Sequence, residues 1–209
     1  MATELLPLFP LNAVLFPRTH LPLHIFEERY KQLINECLER RSEFGVVLAA
    51  EDGVVQTGCT AVVERVARRY PDGRMDILVI GVRRFEIESL DTEKPYLRGR
   101  VRFFNDEETE TVSERLKELA VAGYRALAEL ATGEPTFVPE WDDPQLSFQL
   151  AQAIQDIEFR QTLLLLRSET ERLRRLIEFF PIEAVRQRHA AHIKGVAPRN
   201  GRGWHPSIP

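Results

Sequence analysis

Cysteine is nearly absent. The chain has two in 209 residues, Cys37 and Cys59, too few for a disulfide framework or a four-cysteine zinc site. Two reduced, partly buried thiols are the expectation. Long apolar runs are missing too, since a membrane helix needs about 20 such residues. The most apolar segment, around Leu5–Ile25, is broken by Pro7, Pro10, Pro17 and Pro22, each of which removes a backbone donor. The N-terminus has neither the basic stretch nor the cleavage site of a signal peptide. A cytoplasmic protein without a membrane partner is therefore expected. A basic excess is also lacking. Residues 1–105 hold 15 Lys and Arg against 15 Asp and Glu, and residues 106–209 hold 13 against 17, giving a net charge of −4. That balance disfavours a dedicated nucleic-acid binder. No Gly-Lys pair occurs, so no phosphate loop can be drawn. The six serines stand in no G-x-S-x-G elbow.

What is present changes period once. Short extended runs, Leu5–Phe9, Val14–Phe16 and Leu21–Ile25, lie between the prolines. Tyr30, Leu33, Ile34, Cys37 and Leu38 then share one helical face. Phe44–Ala50 reads as a strand ended by Glu51-Asp52-Gly53. Cys59–Tyr70 and Met75–Ser89 form a hairpin around Pro71-Asp72-Gly73, in which proline presets φ and glycine accepts a positive one. Tyr96–Phe104 is the last strand. After the acidic run Asn105–Glu110 the apolar spacing becomes helical: Leu116, Leu119, Gly123, Leu127 and Leu130, with Ser113 as N-cap. Pro144 opens a helix, Glu158–Leu166 is a short one, and Ser168 with Glu171 gives a capping-box pattern. Pro181 is expected to kink or interrupt that helix, with Ile182–Lys194 as a further one. The fold class is α+β: a β-rich subdomain over 1–105, a helical subdomain over 106–195, and a disordered tail over 196–209.

Three blocks carry a family resemblance. The first pairs Leu6-Pro7-Leu8 and Leu21-Pro22-Leu23 around Phe16-Pro17 and continues to Arg29-Tyr30. The second runs from Gly58-Cys59-Thr60-Ala61 to Gly81-Val82-Arg83-Arg84-Phe85. The third joins Arg160-Gln161-Thr162-Leu163-Leu164 to Glu171-Arg172-Leu173. In order and spacing they resemble the N-terminal, substrate-binding domain of the ATP-dependent Lon proteases over about residues 4–180. The resemblance implies a small PUA-like barrel or sheet followed by a helical bundle. It also implies a stand-alone, non-catalytic form, because the ATPase and serine–lysine protease motifs are missing.

The candidate residues are few. His20 and His24 would share a face of an extended segment, and His189 and His192 a helix face. Neither pair has an evident third ligand, and no metal or cofactor is expected. Cys37 lies on an apolar stripe, where burial quiets a thiol. Arg68, Arg69, Arg83 and Arg84 crowd one hairpin and are the candidates for RNA, but Glu64, Asp72, Asp76, Glu86 and Glu88 are interleaved with them. Cross-strand ion pairs are the simpler account. Phe103 and Phe104 point to opposite faces of a strand, so one of them leaves the sheet core. With Phe137, Trp141 and the sheet edge near Pro7–Phe16 they form the candidate surface for an unfolded or extended polypeptide. The leading expectation is a substrate-recognition module or adaptor for a protease or chaperone. The alternatives are an RNA-binding PUA-like protein and, third, an enzyme using a cleft between the subdomains.

Overall fold

Wherever the apolar period is two, the backbone is extended. The computed structural model describes residues 5–107, 111–132 and 138–196. Its strands are β1 (Leu6–Leu11), β2 (His20–Ile25), β3 (Phe44–Ala50), β4 (Gly53–Arg69), β5 (Met75–Asp91) and β6 (Arg98–Phe104), with helix α1 (Glu28–Arg40) after β2. The helices α2 (Glu114–Thr132), α3 (Leu146–Leu150), α4 (Ile157–Leu165) and α5 (Glu169–Val196) follow, with a short 3₁₀ turn at Ala151–Ala153. The fold is mixed α and β, as the sequence pattern requires. Two compact units emerge. One holds the described residues up to Glu107 together with Asp156–Glu169, and the other holds Thr111–Gln155 and the chain from Thr170.

In the first unit the strand pairings return to their start. β1 runs parallel to β3, and β3–β4, β4–β5, β5–β6 and β6–β1 are antiparallel. β2 adds to the Met75–Ile80 end of β5. Three register shifts between β4 and β5 bend these 17-residue strands. One side of β5 therefore meets β2 first and β6 later. Leu8, Val47 and Phe85 form the centre, with Leu6, Ile87 and Val101 against them. The Phe85 ring fits only because Gly45 and Gly58 flank it, since a Cβ at either would stand 2.6 or 2.7 Å from its Cζ. A second apolar layer seats α1: Tyr30, Leu33, Ile34 and Cys37 are buried, and the Phe9 and Tyr30 rings lie 4.2 Å apart.

The hairpin turn forms as read. Tyr70 N donates to Arg74 O (2.9 Å), Gly73 has φ 83°, and the Asp72 carboxylate accepts from Arg74 N (3.2 Å). Three expectations are corrected. Val14–Phe16 is buried but is not a strand, because the chain crosses over β5 there. Arg18 N donates to Gly81 O, and the Phe16 carbonyl takes the space a Cβ at Gly81 would need. The proposed edge near Pro7–Phe16 is not open along β1, which pairs with β6 at Leu6–Pro7 and with β3 at Leu8–Leu11. Pro181 does not end a helix, since α5 runs through it from Glu169 to Val196.

Helix α4 is tied to the sheet by polar groups. The Asp156 carboxylate caps it by accepting from Phe159 N (2.9 Å). Gln161 Nε2 donates to Thr57 O (3.0 Å) and Arg160 Nη2 to Val14 O (2.9 Å). In the second unit, α2 starts with its Ser113 hydroxyl accepting from Leu116 N (3.3 Å). Tyr124, Leu127, Leu146, Phe148, Leu173, Leu176 and Phe180 are buried there. Arg172 is fully buried, donates from Nε to Ser147 Oγ (2.8 Å), and lies 4.4 Å over the Phe148 ring.

Candidate functional site

Helix α1 ends beside the start of β1, and the segment before β6 passes the same place. Between them lies an open groove of about 660 Å³ within the first unit. Leu5, Leu6 and Pro7 supply one wall, and Glu36, Cys37 and Arg40 of α1 another. The turn Arg41-Ser42-Glu43 forms the rim, and Arg83 of β5 faces it. Lys94 and Tyr96 precede β6, which adds Arg98, Val101 and Phe103.

The polar groups of the groove are ordered. Lys94 Nζ donates to Glu36 Oε2 (2.5 Å) and to Tyr96 Oη (2.9 Å), and Tyr96 Oη donates to the same carboxylate oxygen (2.8 Å). The Lys94 hydrogen bond holds the Glu36 carboxyl far below its ordinary range, at about 2. The same bond pushes Lys94 up, and burial pushes the Tyr96 hydroxyl up. Arg83 Nε donates to Glu43 (3.0 Å), and its guanidinium lies 3.7 Å from the Phe103 ring centroid. Arg98 is held outside the groove's own acids, by Asp91 and Glu93. Burial pushes the Cys37 thiol up, and pushes Cys59 up to about 12, so neither offers a thiolate near neutral pH. Among the described residues no group of three His, Cys, Asp or Glu is placed to hold a metal. His20 instead pairs with Glu64 (3.3 Å) and His24 with Asp76 (2.6 Å).

The candidate residues separate. Phe103 is 42% exposed and opens on the groove. Phe104 is 8% exposed and lies beneath the guanidinium groups of Arg84 and Arg167, each 4.7 Å from its ring. It is a packing residue of the first unit, not a docking ring. Trp141 belongs to the second unit, is 37% exposed, and donates from Nε1 to Glu114 (2.9 Å). Phe137 lies outside the described residues. The four hairpin arginines share no common surface. Arg68 covers the Tyr70 ring at 4.6 Å, and Arg69 donates to Asn35 (3.3 Å). Arg83 lines the groove, and Arg84, 2% exposed, is inside the unit. Arg84 donates to the carbonyls of Leu164 (3.1 Å) and Leu166 and to Asp106 (2.6 Å). A phosphate cannot reach it. Sequence reading passed over Glu36, Arg40, Arg41, Lys94 and Tyr96. Their signal was faint: a basic pair closing a helix, and a Lys-Pro-Tyr segment before a strand.

Known proteins give this arrangement a context. Residues 5–180 match the family model described as the ATP-dependent protease La (LON) substrate-binding domain. The Lon protease of Parabacteroides distasonis is 32% identical over 142 residues, 60% of this chain and 17% of that protein. The Lon protease of Roseiflexus castenholzii is 31% identical over 145 residues, 66% of this chain and 18% of that protein. The chain thus spans less than a fifth of the length of these relatives. Two solved structures share the fold. A Lon N-terminal domain protein from Xanthomonas campestris aligns at TM-score 0.69 and 24% identity, covering 85% of this chain and 99% of that one. The N-terminal domain of a Mycobacterium avium complex Lon protease aligns at 0.62 and 19%, covering 85% and 98%.

Proposed function

The chain belongs to the family of Lon substrate-binding domains, and from that membership we propose that it is a non-enzymatic, cytoplasmic module that captures extended segments of polypeptide for a protease or chaperone. The observation that carries the proposal is the groove beside β1, where the exposed ring of Phe103 stands among Leu5, Leu6 and Val101 inside a polar rim. Apolar walls with a few fixed polar groups suit an unfolded segment, whose side chains lose water while its backbone stays hydrogen-bonded. Arg83 stacks on Phe103 and holds the ring in place before a ligand arrives, which lowers the entropy lost on binding. The buried, protonated thiols and the family match to a substrate-binding domain alone support a binding role rather than catalysis.

The test is a titration of fluorescein-labelled, carboxymethylated α-lactalbumin, a permanently unfolded protein, into the full chain. Binding is expected, with Phe103→Ala weakening it by about tenfold, the loss of one aromatic anchor. Wild-type affinity in Phe103→Ala would place binding elsewhere, and no binding at all would remove the proposal.

A further inference from the structure

We infer that the groove selects segments in which an acidic side chain adjoins an apolar one, and that Arg41 is the residue that reads the acid. The inference rests on the polypeptide-binding proposal and goes beyond it by naming the chemistry of the client.

Charge is the first observation. The groove is lined by five cations, Arg40, Arg41, Arg83, Lys94 and Arg98, and by two carboxylates, Glu36 and Glu43. Both carboxylates are engaged within the groove: Glu36 by Lys94 and Glu43 by Arg83. Arg98 is taken from outside the groove by Asp91 and Glu93, and the other four cations still outnumber the two carboxylates next to the apolar wall. Arg41 is exposed and pairs with no acid among the described residues.

The backbone of Arg41 is the second observation, and it is independent of the first. Arg41 caps the C-terminus of α1 in the left-handed conformation, φ 53° and ψ 42°, with its N–H bonded to Cys37 O. This is the position where helices place glycine, because any other residue brings its Cβ against the following carbonyl. Here the strained position holds a long cation at the rim of the groove. Glycine would be the more stable choice for the fold and would leave the groove without this charge. A guanidinium in that place can take a carboxylate in bidentate fashion, while an adjoining apolar side chain of the same segment reaches the wall with Leu6, Val101 and Phe103.

The two roles of Arg41 pull in opposite directions, so a single variant separates them. Arg41→Gly removes the cation and relieves the backbone. Its melting temperature should rise by about 2–4 °C. Its affinity for an eight-residue fluorescein peptide with the core Asp-Phe-Leu-Asp should fall about fivefold. Affinity for the sibling with Asn in place of both Asp should stay within about twofold, and the wild type should bind the Asp peptide more tightly than the Asn or Lys siblings. Equal binding of the Asp peptide by Arg41→Gly and wild type overturns the inference while leaving the groove in place, provided Phe103→Ala weakens every peptide. If no peptide binds and Phe103→Ala changes nothing, the groove proposal falls and this inference with it. An octauridylate that binds more tightly than any peptide and is released by Arg41→Gly assigns the rim to phosphate and likewise overturns it.

Discussion

Glu36 shows how much one side chain does in this groove. Its carboxylate gathers Lys94 and Tyr96, and so ties α1 to the segment entering β6. Because its folded pKa is depressed to about 2, the pairing stabilises the fold fully above the unfolded carboxyl value of about 4.3 and is lost as pH falls toward 2. Glu36→Gln should therefore flatten the acid limb of a stability-against-pH curve between about pH 4.5 and 2. Urea melts at half-unit pH steps would show it, and an unchanged limb would remove Glu36 from that role. Arg84 is the contrasting case. It looked like one basic residue among four on a hairpin, yet it is buried and bonded to two main-chain carbonyls and Asp106. Arg84→Met should cost about 3–5 kcal/mol, since Asp106 and the carbonyls would lose their donor. Calorimetry would read this as a fall in melting temperature. Neither residue announces itself in sequence. An arginine next to Arg83 on a strand faces the opposite side by geometry, but only the return of α4 shows that this side is covered.

Elements with their own local chemistry were legible, and elements defined by distant partners were not. The Pro71-Asp72-Gly73 turn, the Ser113 cap and the apolar stripe of α1 form as their residues dictate. The strand β1 could not be placed by pattern, because pairing on both sides depends on β3 and β6, more than thirty residues away. Helix α5 inverts the usual reading of proline. Pro181 has no N–H for the carbonyl of Ile177, four residues back, yet the helix continues to Val196. The packing of Leu173, Leu176 and Phe180, the last set against Gly123, outweighs that loss. Pro181→Ala should restore the hydrogen bond and stabilise the chain by about 1–3 kcal/mol. Denaturant titration would measure the gain, and a loss would mean that the Pro181 ring itself is needed for packing.

At the scale of the whole chain, the period change near Asn105 marks where the sheet ends but not where the first unit ends. Asp156–Glu169 comes back to that unit after the chain has built part of the second. No composition shift announces the return, because a short helix ending in the apolar run Leu163-Leu164-Leu165 reads alike in either unit. The physical consequence is specific. A fragment ending at Glu107 would lose the helix that covers Arg84 and supplies it with the carbonyls of Leu164 and Leu166. It would also leave Thr57 O and Val14 O without Gln161 and Arg160. The fragment would also lose the burial of Leu163 and Leu164, each worth about 1.5–3 kcal/mol, along with these hydrogen bonds at about 0.5–1.5 kcal/mol each and more where the donor is charged. Together these losses rival the whole stability of a domain of about 100 residues. The 1–107 fragment should therefore be unfolded or molten, binding the dye ANS and lacking a sharp melt. A synthetic peptide spanning 153–169, added in trans, should restore a cooperative transition by supplying α4. The same peptide with Gln161→Leu should rescue less well, since Thr57 O would stay unpaired. A 1–107 fragment that melts sharply by itself, with no gain from the peptide, would show that α4 merely leans on the sheet and does not complete it.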